Sequence, residues 1–161
     1  MRALDHTGAR VTSWHVAADA EPINPSTPTL VSLARLIGMN KADAGVLLES
    51  DADLDQAGAR LANLTIAGVK FTTFKDGRPF SIARLLRTRH GFTGDLRAYG
   101  LYIPDQGAFL VRCGFSSFEV VDGFDEAALR KNIAHFSYNY QRPLGVTASI
   151  VALRQANAAR P

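Results

Sequence analysis

The residue types that could bind a charged ligand are concentrated in one segment of the chain. Residues 75–78 read Lys-Asp-Gly-Arg, and further arginines follow at positions 84, 87, 89 and 97. A guanidinium group can donate two parallel hydrogen bonds to a phosphate, sulfite or carboxylate group. The free N–H groups at the start of a helix add to this attraction. The candidate residues for binding an anion or a partner are Lys75, Gly77, Arg78, Ser81, Arg84, Arg87 and Gln106.

The same turn also has a purely structural interpretation. Asp76 can cap the helix that is predicted to follow it, because its carboxylate can accept a hydrogen bond from the first turn. Gly77 can adopt backbone angles that other residues avoid, and Arg78 can lie in solvent. The sequence leaves open whether this turn binds an anion or only starts a helix.

The later arginines need not act together. Arg84 and Arg87 are three residues apart, which places them on one face of a helix. Arg84 has Asp95 and Glu119 as candidate ion-pair partners, and the alternative is a contact with an anion or a partner protein. Arg97 lies inside an apolar strand pattern, where a buried charge must be paired.

Two carboxylates are candidates for acid–base chemistry, although no catalytic residue is identified. Asp76 precedes one predicted helix and Asp105, after Pro104, opens the next. An aspartate with a raised pKa could act as a general base, but Asp105 is also a good helix cap. Both are also candidate counter-charges for Arg97.

The motifs imply no cofactor and no metal. The four histidines, at positions 6, 15, 90 and 135, lack the spacing of metal ligands. No Gly-x-Gly-x-x-Gly pattern follows a predicted strand, and no phosphate loop ending in Gly-Lys-Ser/Thr occurs. The chain therefore offers no support for a tightly bound dinucleotide.

The elements that must position these residues alternate regularly from residue 44 onward. Four short apolar runs predict strands, and amphipathic segments between them predict helices, which together indicate repeated βα units and a mainly parallel sheet. The spacing does not separate an open flavodoxin-like sheet from half of a (β/α)8 barrel. The predicted strands are 44–48, 66–71, 96–103 and 118–121, and the predicted helices are 51–64, 79–90, 105–113 and 125–136.

The chain is predicted to be one α/β domain spanning residues 1–161. Residues 1–40 are expected to be an irregular N-terminal segment with a short strand within 11–16 and a helix at 30–37. Residues 44–141 form the βα-repeat core, and residues 142–161 form a tail.

The predicted ends of the strands indicate which candidate residues lie at the same rim of the sheet. Loops that follow parallel strands meet at one rim of the sheet, which brings residues 75–78 close to Asp105 and Gln106. Arg112 and Cys113 end a predicted helix and precede a strand, so they are expected at the opposite rim. That placement counts against Cys113 as a nucleophile.

Composition limits the class of protein. The formal net charge of +3 is too small to indicate nucleic-acid binding. No apolar run is long enough to span a membrane, no secretory signal is evident, and a single cysteine fits a reducing compartment. We therefore expect a cytoplasmic protein with no nucleic-acid or membrane partner. A half barrel would leave exposed edges, which favours a homodimer.

The middle of the chain, roughly residues 45–141, resembles an uncharacterised bacterial family, domain-of-unknown-function family nine-three-four. Its members are often labelled oxidoreductases of sulfite reduction, because they accompany assimilatory sulfite reductase. The resemblance therefore implies a role in sulfur assimilation, with sulfite reductase as a partner, and assigns no catalytic residue. The matching motifs are Asp76-Gly77-Arg78, Ser81 with Ala83-Arg84, Leu96-Arg97-Ala98, Asp105-Gln106 and Arg112-Cys113-Gly114-Phe115.

Three hypotheses follow from the residues and the resemblance. The first is an accessory protein of assimilatory sulfite reduction whose basic rim binds an anion or a partner. The second is a small α/β enzyme that acts on an anionic metabolite. The third is a scaffold or dimerisation module without catalytic activity.

Overall fold

The computed structural model describes residues 2–24, 26–39, 44–135, 138–139, 143–144 and 148–149. Most of the predicted C-terminal tail lies outside these residues. The strands are β1 Arg2–Asp5, β2 Arg10–Val11, β3 His15–Val16, β4 Thr29–Ser32, β5 Gly45–Leu48, β6 Ile66–Phe71, β7 Asp95–Gly100, β8 Ser117–Val120, β9 Tyr138–Asn139 and β10 Ala148–Ser149. The α-helices are α1 Leu33–Gly38, α2 Arg78–Thr88, α3 Gly107–Arg112 and α4 Glu126–Ala134.

Eight strands form one mixed sheet in the order β2-β1-β8-β7-β6-β5-β4-β3. Strands β3 to β8 pair with one another in parallel, while β1 runs antiparallel to both β8 and β2. The strands from β4 to β8 lie side by side in chain order, without the reversal that defines a flavodoxin-like sheet. The fold is therefore the predicted α/β architecture in its half-barrel form.

The chain connectivity forces this sheet to curl. Strands β2 and β3 lie at opposite edges, yet only residues 12–14 connect them. Such a link reaches at most about 14 Å, whereas the edges of a flat eight-stranded sheet would lie about 34 Å apart. Both edge strands are two residues long and offer little backbone for pairing with a second copy.

One face of the sheet carries the helices and the main apolar core. Residues of β6 and β7, such as Val69 and Ala98, pack there with Phe80 and Leu86 of α2 and with Leu110 of α3. Because each βα crossover is right-handed and the strands follow one another in order, α2 and α3 lie on the same face. The spacing of apolar residues predicted that helices cover the sheet, but it did not separate this half-barrel form from an open flavodoxin-like sheet.

Several predicted boundaries differ from the observed ones. The helix expected at residues 30–37 begins only at Leu33, since Thr29–Ser32 forms strand β4 of the sheet. The helix expected at residues 51–64 consists of two 3-10 helices, Leu54–Gln56 and Gly58–Asn63, separated by one residue. Gly58, the first residue of the second 3-10 helix, has a φ of 54°, so the two segments cannot form one regular helix.

The N-terminal segment, predicted to be irregular, contributes four of the eight strands to the sheet between its loops. Strand β1 was missed because its four residues, Arg-Ala-Leu-Asp, are too few for a periodic signal.

In the part of the chain that the structure describes, no helix is long and apolar enough to cross a membrane.

The inner face, which we define as the face away from α2 and α3, holds a buried ionic network around Arg97. The Arg97 side chain is 2% exposed and donates hydrogen bonds to Asp95, Ser117 and the carbonyl of Thr12, at 2.8, 2.8 and 2.7 Å. Glu119 lies 3.8 Å from the same guanidinium. The counter-charge required for Arg97 is therefore Asp95 with Glu119, and the expectation of Asp76 or Asp105 was wrong.

We expect Asp95→Ala to lower the free energy of unfolding by about 3 kcal/mol, because it leaves the buried Arg97 with an incomplete set of partners. Asp55→Ala is the matched control, since it removes a carboxylate from an exposed pair with Arg89 and costs less than about 1 kcal/mol. Urea unfolding of both variants measures the difference. Equal losses would contradict a structural role for the Arg97 network.

Burial raises the pKa of the Glu119 carboxyl, while Arg97 partly opposes the shift. The folded state therefore retains this proton to a higher pH than the unfolded state does. Stability from Glu119 consequently falls as pH rises above its ordinary pKa of 4.5 and through its folded pKa. We expect Glu119→Gln to lose this part of the decline when unfolding is measured across pH. A variant curve parallel to the wild-type curve would refute the assignment.

Candidate functional site

The turn that leads into α2 is organised by an ion pair between Asp76 and Arg78. The Asp76 carboxylate accepts hydrogen bonds from the Arg78 backbone N–H at 3.0 Å and from Arg78 Nη2 at 2.8 Å. These bonds hold the pKa of Asp76 well below its usual range. Asp76 is therefore a poor acid–base group near neutral pH, and Arg78 is not available as an unpaired cation.

The start of α2 offers few free donors to an anion. The Arg78 N–H donates to Asp76, Pro79 has no N–H, and the Phe80 N–H donates to the Gly77 carbonyl. Gly77 has a φ of −84° and a ψ of −12°, which other residues also adopt. The expectation that Gly77 supplies an unusual backbone angle was wrong.

A cleft of about 500 Å3 opens beside this turn, between α2 and α3. We call it the α2–α3 cleft. It brings together five of the seven residues that the sequence proposed for binding, together with Asp76 and four residues that the sequence did not propose. Its lining residues are Phe74, Lys75, Asp76, Gly77, Phe80, Ser81, Arg84, Gln106, Phe109 and Cys113.

Gln106 fixes one wall of the α2–α3 cleft. Its Nε2 donates to the Phe74 carbonyl at 2.9 Å, and its Oε1 accepts from the Ile103 N–H at 3.2 Å. The side chain thus joins the loop before α2 to the segment before α3. Gln106 is therefore placed to position Phe74 and Lys75, and its own polar atoms are already engaged.

Two cations at the α2–α3 cleft remain without counter-charges. Neither Lys75 Nζ nor the Arg84 guanidinium has a hydrogen bond or an ion pair with the residues that the structure describes. Lys75 Nζ lies 5.7 Å from the centre of the Phe74 ring. The expected partners of Arg84, Asp95 and Glu119, are engaged with Arg97, so that pairing was wrong.

Exposed aromatic rings line the same cleft. Phe74 is 47% exposed and Phe109 is 46% exposed, and Phe109 packs against Phe80 with ring centres 4.6 Å apart. Neither exposed ring was among the residues proposed from the sequence. A signal for Phe109 was present: the buried positions of α3 are 107, 110 and 111, and Phe109 falls outside that stripe.

Cys113 contributes to the wall of the α2–α3 cleft, although its prediction placed it at the opposite rim. Helix α3 has six residues and is only about 9 Å long, so its C-terminal end still reaches the cleft. The side chain is 1% exposed, and burial raises the pKa of its thiol. A protonated, buried thiol is a weak nucleophile near neutral pH.

Arg87 and Asp105 lie outside the α2–α3 cleft. The Arg87 guanidinium donates to the carbonyls of Gly114, Phe92 and Gly94 at 2.9 to 3.1 Å. These bonds join the segment before β7 to the segment before β8, so Arg87 has a structural role. Asp105 is exposed and accepts a hydrogen bond from Asn132 of α4 at 3.1 Å.

No group of three His, Cys, Asp or Glu side chains within the described residues could hold a metal ion. The side chains that line the α2–α3 cleft supply positive charge and apolar surface. Two cations and two exposed aromatic rings line the cleft, and Gln106 supports the loop that carries Phe74 and Lys75. Such a surface suits a ligand that combines negative charge with apolar groups.

The fold and the cleft define a small α/β protein with a half-barrel sheet and a cationic, aromatic cleft. Residues 45–150 match the family described as "Bacterial protein of unknown function (DUF934)". This match covers more than half of the chain, so the chain belongs to that family, and the resemblance of its motifs is confirmed. No curated protein and no solved structure matches the chain.

We expect Arg87→Met to destabilise the fold much more than Arg84→Met does, although both residues lie on α2. Arg87→Met leaves three carbonyls without their donor and lowers the free energy of unfolding by about 2–4 kcal/mol. Arg84→Met removes no described hydrogen bond and stays within about 0.5 kcal/mol of the wild type. Urea unfolding measures both values. A large loss for Arg84→Met would show that its guanidinium holds the fold together.

Proposed function

We propose that this chain is an accessory protein of assimilatory sulfite reduction that binds an acidic segment of a partner protein in the α2–α3 cleft. The observation that carries the proposal is the pair of uncompensated cations, Lys75 and Arg84, at the edge of an exposed aromatic surface. The sulfur-assimilation context rests on the family resemblance, and sulfite reductase is the partner that the resemblance implies.

The contacts favour a protein segment over a small free anion. A small anion is held best where several donors converge, and Arg78 and the N–H groups at the start of α2 are already engaged. Lys75 and Arg84 are themselves exposed. A flexible acidic segment can place carboxylates on both cations.

The aromatic rings add the apolar part of such an interface. Phe74 and Phe109 each expose nearly half of their surface. Aromatic residues and arginines are enriched in the cores of protein interfaces, and charge complementarity supports the choice of partner. We therefore expect the partner segment to carry Asp or Glu together with at least one apolar side chain.

We expect Lys75→Glu with Arg84→Glu to abolish partner binding, because it reverses both charges at the α2–α3 cleft. The tagged protein is purified from its own bacterium at low ionic strength, and co-purified proteins are identified by mass spectrometry. Growth is measured with sulfate and with cysteine as the sole sulfur source. The variant should lose the partner and grow slowly on sulfate only.

Lys131→Glu is the matched control, because it reverses an exposed charge on α4, away from the cleft. It should keep both the partner and growth on sulfate. Raising the salt concentration should release the partner from the wild type, since exposed charges are screened. The proposal fails if the double variant retains its partner and grows normally on sulfate. Binding of sulfite or phosphate by the isolated protein, without any partner, would assign the cleft to a small anion instead.

A further inference from the structure

A second cavity lies at the carboxyl ends of β3, β4, β5 and β6. We call it the mouth cavity. Its volume is about 490 Å3, within the usual range of small-molecule sites. Ligands of parallel α/β proteins bind at this end of the strands. Its lining residues are Val16, Ala17, Ala18, Asp19, Ser32, Leu33, Ala34, Leu47, Glu49, Ala52, Gln56 and Lys70.

The charged groups of the mouth cavity are two carboxylates and one ammonium. Lys70 Nζ donates to Glu49 Oε1 at 2.8 Å, so this cation is already paired. The Asp19 carboxylate accepts a hydrogen bond from the Ser32 hydroxyl at 2.6 Å. Asp19 has no cationic partner within the described part of the chain. The lining residues therefore carry one more carboxylate than ammonium group, although the whole chain has a net charge of +3. Arg35, which is not among the lining residues, donates from Nη1 to the Ala18 carbonyl at 2.7 Å.

The rest of the lining is aliphatic. Apart from Ser32 and Gln56, the uncharged lining residues are alanine, valine and leucine, and no aromatic ring from the described part of the chain is among them. A surface without aromatic rings is poorly suited to stacking a nucleobase. A negative charge surrounded by small aliphatic groups suits a short alkyl chain that carries a protonated amine.

We propose that the mouth cavity binds a small aliphatic amine, whose ammonium group lies between the Asp19 and Glu49 carboxylates. The alkyl chain contacts Leu47 and the alanines of the lining. This site is separate from the α2–α3 cleft and opposite in charge, so either proposal can fail without the other.

Isothermal titration calorimetry of the full chain tests the site with butylamine and 1,4-diaminobutane. Butyrate and 1-butanol serve as probes of the same length without the positive charge. We expect the amines to bind with dissociation constants of about 0.1–1 mM, and the two controls not to bind. Absence of amine binding at about 10 mM, equal binding of butyrate, or binding of calcium or magnesium chloride in place of the amines would overturn the proposal.

Substitutions in the cavity should change affinity in opposite directions. Glu49→Gln and Asp19→Asn each remove a negative charge and should weaken amine binding roughly tenfold. Lys70→Met removes the competing cation and should tighten binding, a result that simple damage to the cavity would not produce. Glu49 and Lys70 side chains are 51% and 44% exposed, so these changes leave the core intact.

Asp55→Asn is the matched control, because it removes an exposed carboxylate outside the cavity. It should leave amine binding unchanged. Weaker binding in Lys70→Met, or an equal loss in Asp55→Asn, would show that the local charge of the mouth cavity does not select the ligand.

Discussion

The burial of Arg97 inside the curled sheet is the interaction on which the rest of the structure depends. Its guanidinium joins three parts of the chain: Asp95 of its own strand, Ser117 of the neighbouring strand, and the carbonyl of Thr12 in the link between the two sheet edges. An unpaired charge at this depth would cost several kcal/mol. The ionic network and the curl of the sheet therefore support each other, because the short link brings Thr12 over the inner face.

The curl also separates two surfaces of opposite charge. The helices cover one face, and the α2–α3 cleft on that side exposes cations and aromatic rings. The mouth cavity lies where the carboxyl ends of four parallel strands meet and carries a surplus carboxylate. The net charge of +3 does not reveal that positive and negative charges lie on separate surfaces. Net charge alone therefore says little about the partners of a protein whose charges are sorted between separate sites.

The candidate site was predicted in part. The rule that ligands gather at the carboxyl ends of strands brought the turn at residues 75–78 together with Gln106, and the structure joins them through the Phe74 carbonyl. The role of Arg78 could not be read from the sequence, because its partner Asp76 is only two residues away and could equally have capped the helix alone. Arg87 and Arg84 were alike in the sequence, because both are arginines on the same predicted helix. In the structure, however, only Arg87 donates to three backbone carbonyls among the described residues.

The sequence by itself determined the βα repeat, the parallel core strands and the position of α2, because apolar periodicity and Pro79 are local signals. It also required a counter-charge for Arg97, since a buried cation must be paired. Only the tertiary structure decided that Asp95 and Glu119 meet this need and that β1 joins the sheet beside β8. It also decided that Lys75 and Arg84 have no counter-charge among the residues that the structure describes. These outcomes depend on distances between residues far apart in the chain, which local patterns do not encode.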